Sequence, residues 1–119
     1  MATGRLLIVA PELDLRLSLE FLLESEGYEV VSRPRIDIAL EPKLGRFDCT
    51  VLDHKAAVGP SGRVIEFCHS AQPVVLLRER TIPWLQGHVA GTVEKPLVGH
   101  NLASSVRAAI EAARGADPK

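Results

Sequence analysis

The sequence predicts an α/β fold, a doubly wound five-stranded parallel sheet of the (βα)5 kind with a shortened fourth helix. Three observations carry that prediction. Short apolar or β-branched runs alternate about five times with segments whose apolar residues recur at helical spacing. The first and fourth runs are apolar at consecutive positions, as strands buried on both faces are. Only Glu79 to His88 separates the fourth and fifth runs, and Pro83 and Gly87 within it leave room for a helical turn or two at most.

Taken in order, Leu6 to Ala10 is the first strand. Glu12 to Glu26 follows with helical periodicity and stops at Gly27, a residue suited to a left-handed helix terminus. Within this helix Leu15, Leu19, Leu22 and Leu23 make the stripe expected to face the sheet. Tyr28 to Ser32 is short and β-branched, a second strand. Ile36 to Leu44 reads as a weak helix ending at Gly45, with Pro42 shortening, distorting or breaking it. Cys49 to Asp53 is the third strand. The loop Val58 to Gly62 precedes a helix from Arg63 to Ala71, and Pro73 opens the fourth strand, Val74 to Leu77. Val89 to Glu94 is the fifth strand. A last helix, about Val98 to Arg114, carries Leu102, Val106, Ala109, Ile110 and Ala113 on one stripe. Residues 1–114 thus form one domain, and 115–119 a charged, frayed tail. A sheet of this type presents its functional groups at the carboxyl ends of the strands: Ala10-Pro11, Asp53, Arg78 and Lys95-Pro96.

Composition narrows the function classes. The 119 residues suit one domain. Lys plus Arg number 14 and Asp plus Glu 15, a formal charge of -1, which gives no support to nucleic-acid binding through a basic field. No apolar run approaches the roughly 20 residues of a membrane span, and the N-terminus is too short and too acidic for a secretory signal. Cys49 and Cys68 form no close-spaced metal pair and read as free cytoplasmic thiols. His54, His69, His88 and His100 lack zinc-site spacing and read as surface or structural residues. Gly59-Pro60-Ser61-Gly62 lacks the spacing and the Lys-Ser/Thr of a nucleotide-binding loop. No nucleophile, base and orienting group stand together, so no enzyme is expected.

The chain resembles the response-regulator receiver domain of two-component signalling, a flavodoxin-like fold. The resemblance runs through Leu7-Ile8-Val9, Glu12 to Arg16 and Leu22 to Val30, then Phe47 to Asp53, Pro60-Ser61-Gly62 and Lys95-Pro96-Leu97. It implies that Asp53 is the phospho-acceptor-like position, that Lys95 is the pocket lysine, and that the Lys95–Pro96 bond is cis. It also exposes a degenerate site. The two consecutive acids that help hold Mg²⁺ in the family are replaced by Ala10 and Pro11, whose side chains offer no oxygen to a hard cation. Glu12 lies one place beyond them and reads as favourable charge at a helix N-terminus. The switch positions carry Arg78 and Thr92 in place of a hydroxyl and an aromatic residue.

With Asp53 the only acid in the pocket, no cofactor is expected, and weak Mg²⁺ binding at most. Arg78 is expected to turn beside Asp53 and, with Lys95, to supply two pocket cations. Two outcomes compete: Arg78 pairing outward with Glu79 or Glu94, or Lys95 alone satisfying Asp53. Asp53 capping its own loop is the plain structural alternative.

The function implied is that of an atypical, stand-alone receiver acting by protein contact without Mg²⁺-dependent phosphorylation. Its partner would be a histidine kinase, a phosphotransfer protein or another signalling protein. The alternative is a working phosphorelay receiver that takes its phosphoryl group on Asp53. On the first helix Leu13, Leu17 and Phe21 make a second apolar stripe roughly opposite the sheet-facing one, a partner or homodimer surface.

Overall fold

The computed structural model describes residues 4–39, 41–97 and 100–115. Its strands are β1 (Gly4–Val9), β2 (Tyr28–Arg33), β3 (Cys49–Asp53), β4 (Val74–Arg78) and β5 (Gly91–Glu94). Its helices are α1 (Leu13–Ser25), α2 (Ser61–Ser70) and α3 (Asn101–Gly115). The strands form one five-stranded sheet in the order β2-β1-β3-β4-β5, and every pairing is parallel.

Parallel strands leave alternate side chains on opposite faces, and here both faces are dry. Leu6, Ile8, Cys49, Val51, Val75, Leu77 and Val93 meet Leu19 and Leu23 of α1 and Leu102, Val106, Ala109 and Ile110 of α3. Leu7, Val9, Leu52, Val74 and Leu76 meet Val64, Phe67 and Cys68 of α2. The consecutive apolar residues of β1 and β4 follow from this, because neither face can carry a polar alternation. Leu15 and Leu22 pack at the edge of the first core, completing the expected sheet-facing stripe of α1. That helix ends where Gly27 takes φ 97° and its amide donates to the Glu24 carbonyl at 3.0 Å.

The weak helix after β2 does not form. Two 3₁₀ turns, Ile36–Ile38 and Pro42–Leu44, replace it. Pro42 opens the second of these and Gly45 closes it at φ 78°. Proline cannot continue an α-helix from the preceding turn, but it suits a first helical position. The α2 face of the sheet is therefore covered by one helix plus turns. The shortened fourth helix is a single 3₁₀ turn, Pro83–Leu85. The expected span of β5 is also too long, since it starts at Gly91. Ala113 lies exposed, outside the buried stripe of α3, so the apolar contact ends one turn early. Gly115 is the last residue of α3 and not part of a tail. Residues 116–119, the rest of that expected tail, lie outside the described residues, as do Val98 and Gly99 at the expected start of the helix.

Cys49 and Cys68 are free and buried, and they belong to cores on opposite sides of the sheet. Burial pushes the Cys49 thiol up to about 12 and the Cys68 thiol up to about 11. Both folded values exceed the ordinary 9.0. The two thiols thus contribute stability that is full below that value and fades as pH rises toward the folded ones, because only unfolded thiols release protons there. Replacing both with alanine is expected to flatten the fall in urea stability between pH 8 and pH 10.5; an unchanged slope would refute the assignment.

Candidate functional site

Asp53 ends β3 on the same side of the sheet as Cys49 and Val51, toward α1 and α3. It is 0% exposed. Lys95, which follows β5, reaches back to it: the Lys95 ammonium contacts Asp53 Oδ1 as an ion pair, with the lysine side chain itself largely buried. The Lys95–Pro96 bond is cis, and the Lys95 amide donates to the Arg78 carbonyl at 2.9 Å. That main-chain bond anchors the start of the β5–α3 loop to the end of β4. Among the described residues neither Asp53 oxygen accepts a well-directed hydrogen bond, so Lys95 supplies the compensating charge a buried carboxylate needs.

At the end of β1 the two positions that lack acids are held by a cation. Arg16, one turn into α1, donates from Nη1 to the Ala10 carbonyl at 2.9 Å and the Pro11 carbonyl at 3.3 Å. This contact has no signal in the sequence, because it uses backbone acceptors that carry no residue signature. Glu12 stands at the N-cap of α1 without a side-chain capping bond. Its carboxylate instead accepts from Lys55 Nζ at 3.2 Å, tying the β1–α1 corner to the loop after β3. That hydrogen bond raises the Lys55 ammonium above its ordinary value. Among the described residues no cluster of three metal-ligating side chains occurs.

The expected Asp53–Arg78 pair is not formed. Arg78 donates from Nη1 to Thr81 Oγ1 at 3.1 Å and lies 3.7 Å from Glu94. The cause is strand parity. Asp53 stands opposite Leu77, and Arg78 stands opposite Glu94. Arg78 therefore shares its face with Leu76, on the α2 side, while Asp53 points to the α1 and α3 side. Thr92, opposite Leu76, is also on the α2 side and lines a small cavity with Arg78, Thr81 and Leu85. The two switch positions adjoin each other and not the carboxylate. Of the two expected pocket cations only Lys95 is one. His54 begins the 3₁₀ turn after β3, with Nε2 3.3 Å from Glu79.

The second stripe of α1 points outward as expected. Leu13 is 56% exposed, Leu17 52% and Phe21 77%, so neither a loop nor a neighbouring helix covers them. Exposed Asp14 and Glu24 lie on the same outward side. The basic residue of the helix, Arg16, is turned to the backbone carbonyls described above.

No protein-family model matches the chain, and no curated protein matches it. Solved structures do. The chemotaxis response regulator CheY4 of Vibrio cholerae is similar at 21% identity and a TM-score of 0.72, over 92% of this chain and 98% of that one. A response-regulator receiver domain protein from Clostridium thermocellum is similar at 18% identity and a TM-score of 0.77, over 96% and 98%. Full-length FixJ from B. japonicum is similar at 20% identity and a TM-score of 0.75, over 99% of this chain and 61% of that one. The chain thus has the receiver fold, the flavodoxin-like arrangement its sequence resembles.

Lys95→Met strands the buried Asp53 carboxylate and is expected to cost about 3–5 kcal/mol in denaturant unfolding. Adding Asp53→Leu to that variant should recover most of the loss. Equal losses in the single and double variants would show that the two side chains do not act as a pair.

Proposed function

We propose that this chain is an atypical receiver module of two-component signal transduction, cytoplasmic and not an enzyme. On this reading it acts by protein contact and takes no Mg²⁺-dependent phosphoryl group on Asp53. The observation that carries the reading is the charge at the strand ends. A guanidinium occupies the backbone carbonyls at the two positions without acids, and the remaining acid is closed onto Lys95. Mg²⁺ asks for several oxygen ligands in near-octahedral array, and Asp53 alone does not provide them. The residues present do not fit the ion beyond weak binding.

Phosphoryl transfer to a carboxylate needs its developing charge neutralised. Without a metal that task would fall to Lys95, already committed to Asp53. A phosphorelay role is the second reading. It is favoured by Asp53 Oδ2, a buried oxygen without a hydrogen-bond partner among the described residues. One experiment separates the two: incubation with Mg²⁺ and acetyl phosphate, read by intact mass. No added phosphate is expected; stoichiometric phosphate that disappears in Asp53→Asn establishes the phosphorelay reading instead.

Contact is assigned to the outward face of α1. Leu13, Leu17 and Phe21 offer an apolar anchor, and Asp14 and Glu24 favour a partner segment with basic flanks. A histidine kinase, a phosphotransfer protein or another signalling protein fits this description, and a second copy of the chain is the homodimer alternative. Leu17→Glu combined with Phe21→Ser is expected to abolish binding to the partner kinase or phosphotransfer domain in calorimetric titration. The fold should be kept, since both side chains are exposed. Unchanged binding, together with unchanged sedimentation behaviour, rules the surface out.

A further inference from the structure

We propose that the crevice between the loops following β1, β2 and β3 is a binding pocket for a small amphipathic anion. The ligand class is a compact aromatic or aliphatic group bearing one carboxylate, sulfonate or phosphate. This inference does not depend on the signalling role.

The crevice encloses about 380 Å³, within the range of roughly 300–1,000 Å³ typical of small-molecule sites. It lies where an open α/β sheet offers a natural site. With β1 flanked by β2 and β3, the chain leaves β1 through α1 on one face and β3 through α2 on the other. The carboxyl ends of β1 and β3 consequently diverge into a switch-point crevice. The connection between β2 and β3 contributes one wall through the first of its two 3₁₀ turns, Ile36–Ile38.

Its walls are apolar and stiff. Pro11, Pro34 and Pro60 line it from three separate loops, and each ring fixes its backbone φ. Ile36, Ala56 and Val58 add hydrocarbon surface. A pocket held by such walls loses little conformational freedom when occupied.

The rim selects the charge. Arg35, Lys55 and Arg63 line it against one acid, Asp37. Arg35 is paired with Asp37 at 3.0 Å, and Lys55 with Glu12 at 3.2 Å. Arg63 is exposed; its amide donates to the Pro60 carbonyl, but its side chain makes no hydrogen bond or ion pair among the described residues, so its guanidinium fork is uncommitted. Such a fork binds an oxyanion through two parallel donors. It projects from the first turn of α2, whose N-cap, Pro60, supplies no side-chain capping bond, so the helix end adds its own preference for negative charge. Asp53 and Lys95 do not line this pocket. It is a separate site that touches the first one through the Lys55–Glu12 bridge.

The test uses two probes on the full chain: 8-anilinonaphthalene-1-sulfonate and its uncharged analogue N-phenyl-1-naphthylamine. Binding is followed by fluorescence titration and mapped by amide chemical shifts. Saturable one-to-one binding of the sulfonate is expected, with the largest shifts at Ile36, Ala56, Gly59 and Gly62. The neutral analogue should bind at least about tenfold more weakly, as should the sulfonate to Arg63→Glu, the loss of one charge-assisted contact. Arg63→Lys should keep part of the affinity. Val58→Glu, which adds an acid at an exposed rim position, should weaken the sulfonate as well. Equal affinity for both probes, indifference to Arg63→Glu, or shifts centred on Leu13, Leu17 and Phe21 would overturn the proposal.

Discussion

In a sheet buried on both faces, the parity of a residue within its strand decides nearly everything about its surroundings. Cys49, Val51 and Asp53 alternate toward α1 and α3, while Leu52, Leu76 and Arg78 alternate toward α2. The register fixes this strand by strand, with Leu52 opposite Leu76, Asp53 opposite Leu77 and Arg78 opposite Glu94. Asp53 and Arg78 therefore do not meet, although both belong to the carboxyl edge of the sheet. A slip of one residue in β4 would bring the guanidinium to the carboxylate, but it would also turn Val75 and Leu77 into the wrong core.

That constraint leaves a carboxylate at the dry end of β3 with a narrow choice of partners. Leaving it unpaired is excluded by its desolvation, and a metal would need further acids on the α1 side of the cleft. The acid next after β1, Glu12, lies at the solvent edge and pairs there with Lys55. Arg16 takes the backbone carbonyls of Ala10 and Pro11. Three cations, Arg16, Lys55 and Lys95, thus each have a defined acceptor around the mouth of the cleft. Only the Lys95 contact is buried enough for its removal to strand a charge; the Lys55 pair is exposed and contributes little to stability.

How much of this is legible in the sequence depends on whether the determinant is local. The strands, α1 and the sheet-facing stripe of Leu15, Leu19, Leu22 and Leu23 follow from periodicity. The outward stripe of Leu13, Leu17 and Phe21 follows from the same geometry. Asp53 and Lys95 are legible through the family resemblance, which supplies the long-range proximity that spacing alone does not. Arg78 is not legible from its place at a strand end, because the period-2 alternation of β4 turns it to the face opposite Asp53. The Arg16 contact has no sequence signal, since any residue's carbonyl could accept it. The segment after β2 shows propensity yielding to a single residue: Ile36 to Leu44 has enough apolar spacing for a helix, and Pro42 divides it into two turns.

The division at Pro42 has a consequence beyond local structure. A continuous helix does not form there, and part of the segment, Ile36, lines the crevice together with Pro11 and Pro60. Its absence leaves the α2 face with one helix and a core completed by loop residues, among them Ile36, Ala39 and Phe47. The same loops that finish this core also form the crevice wall, so ligand-sized space and core packing share residues. On the opposite side, α1 and α3 pack on the sheet, and Asp53 is buried at its carboxyl edge. The molecule is thus asymmetric across its sheet. One face holds a buried carboxylate paired with Lys95, and the other an open, cation-rimmed crevice. Lys55 lines the crevice while donating to Glu12 at the start of α1.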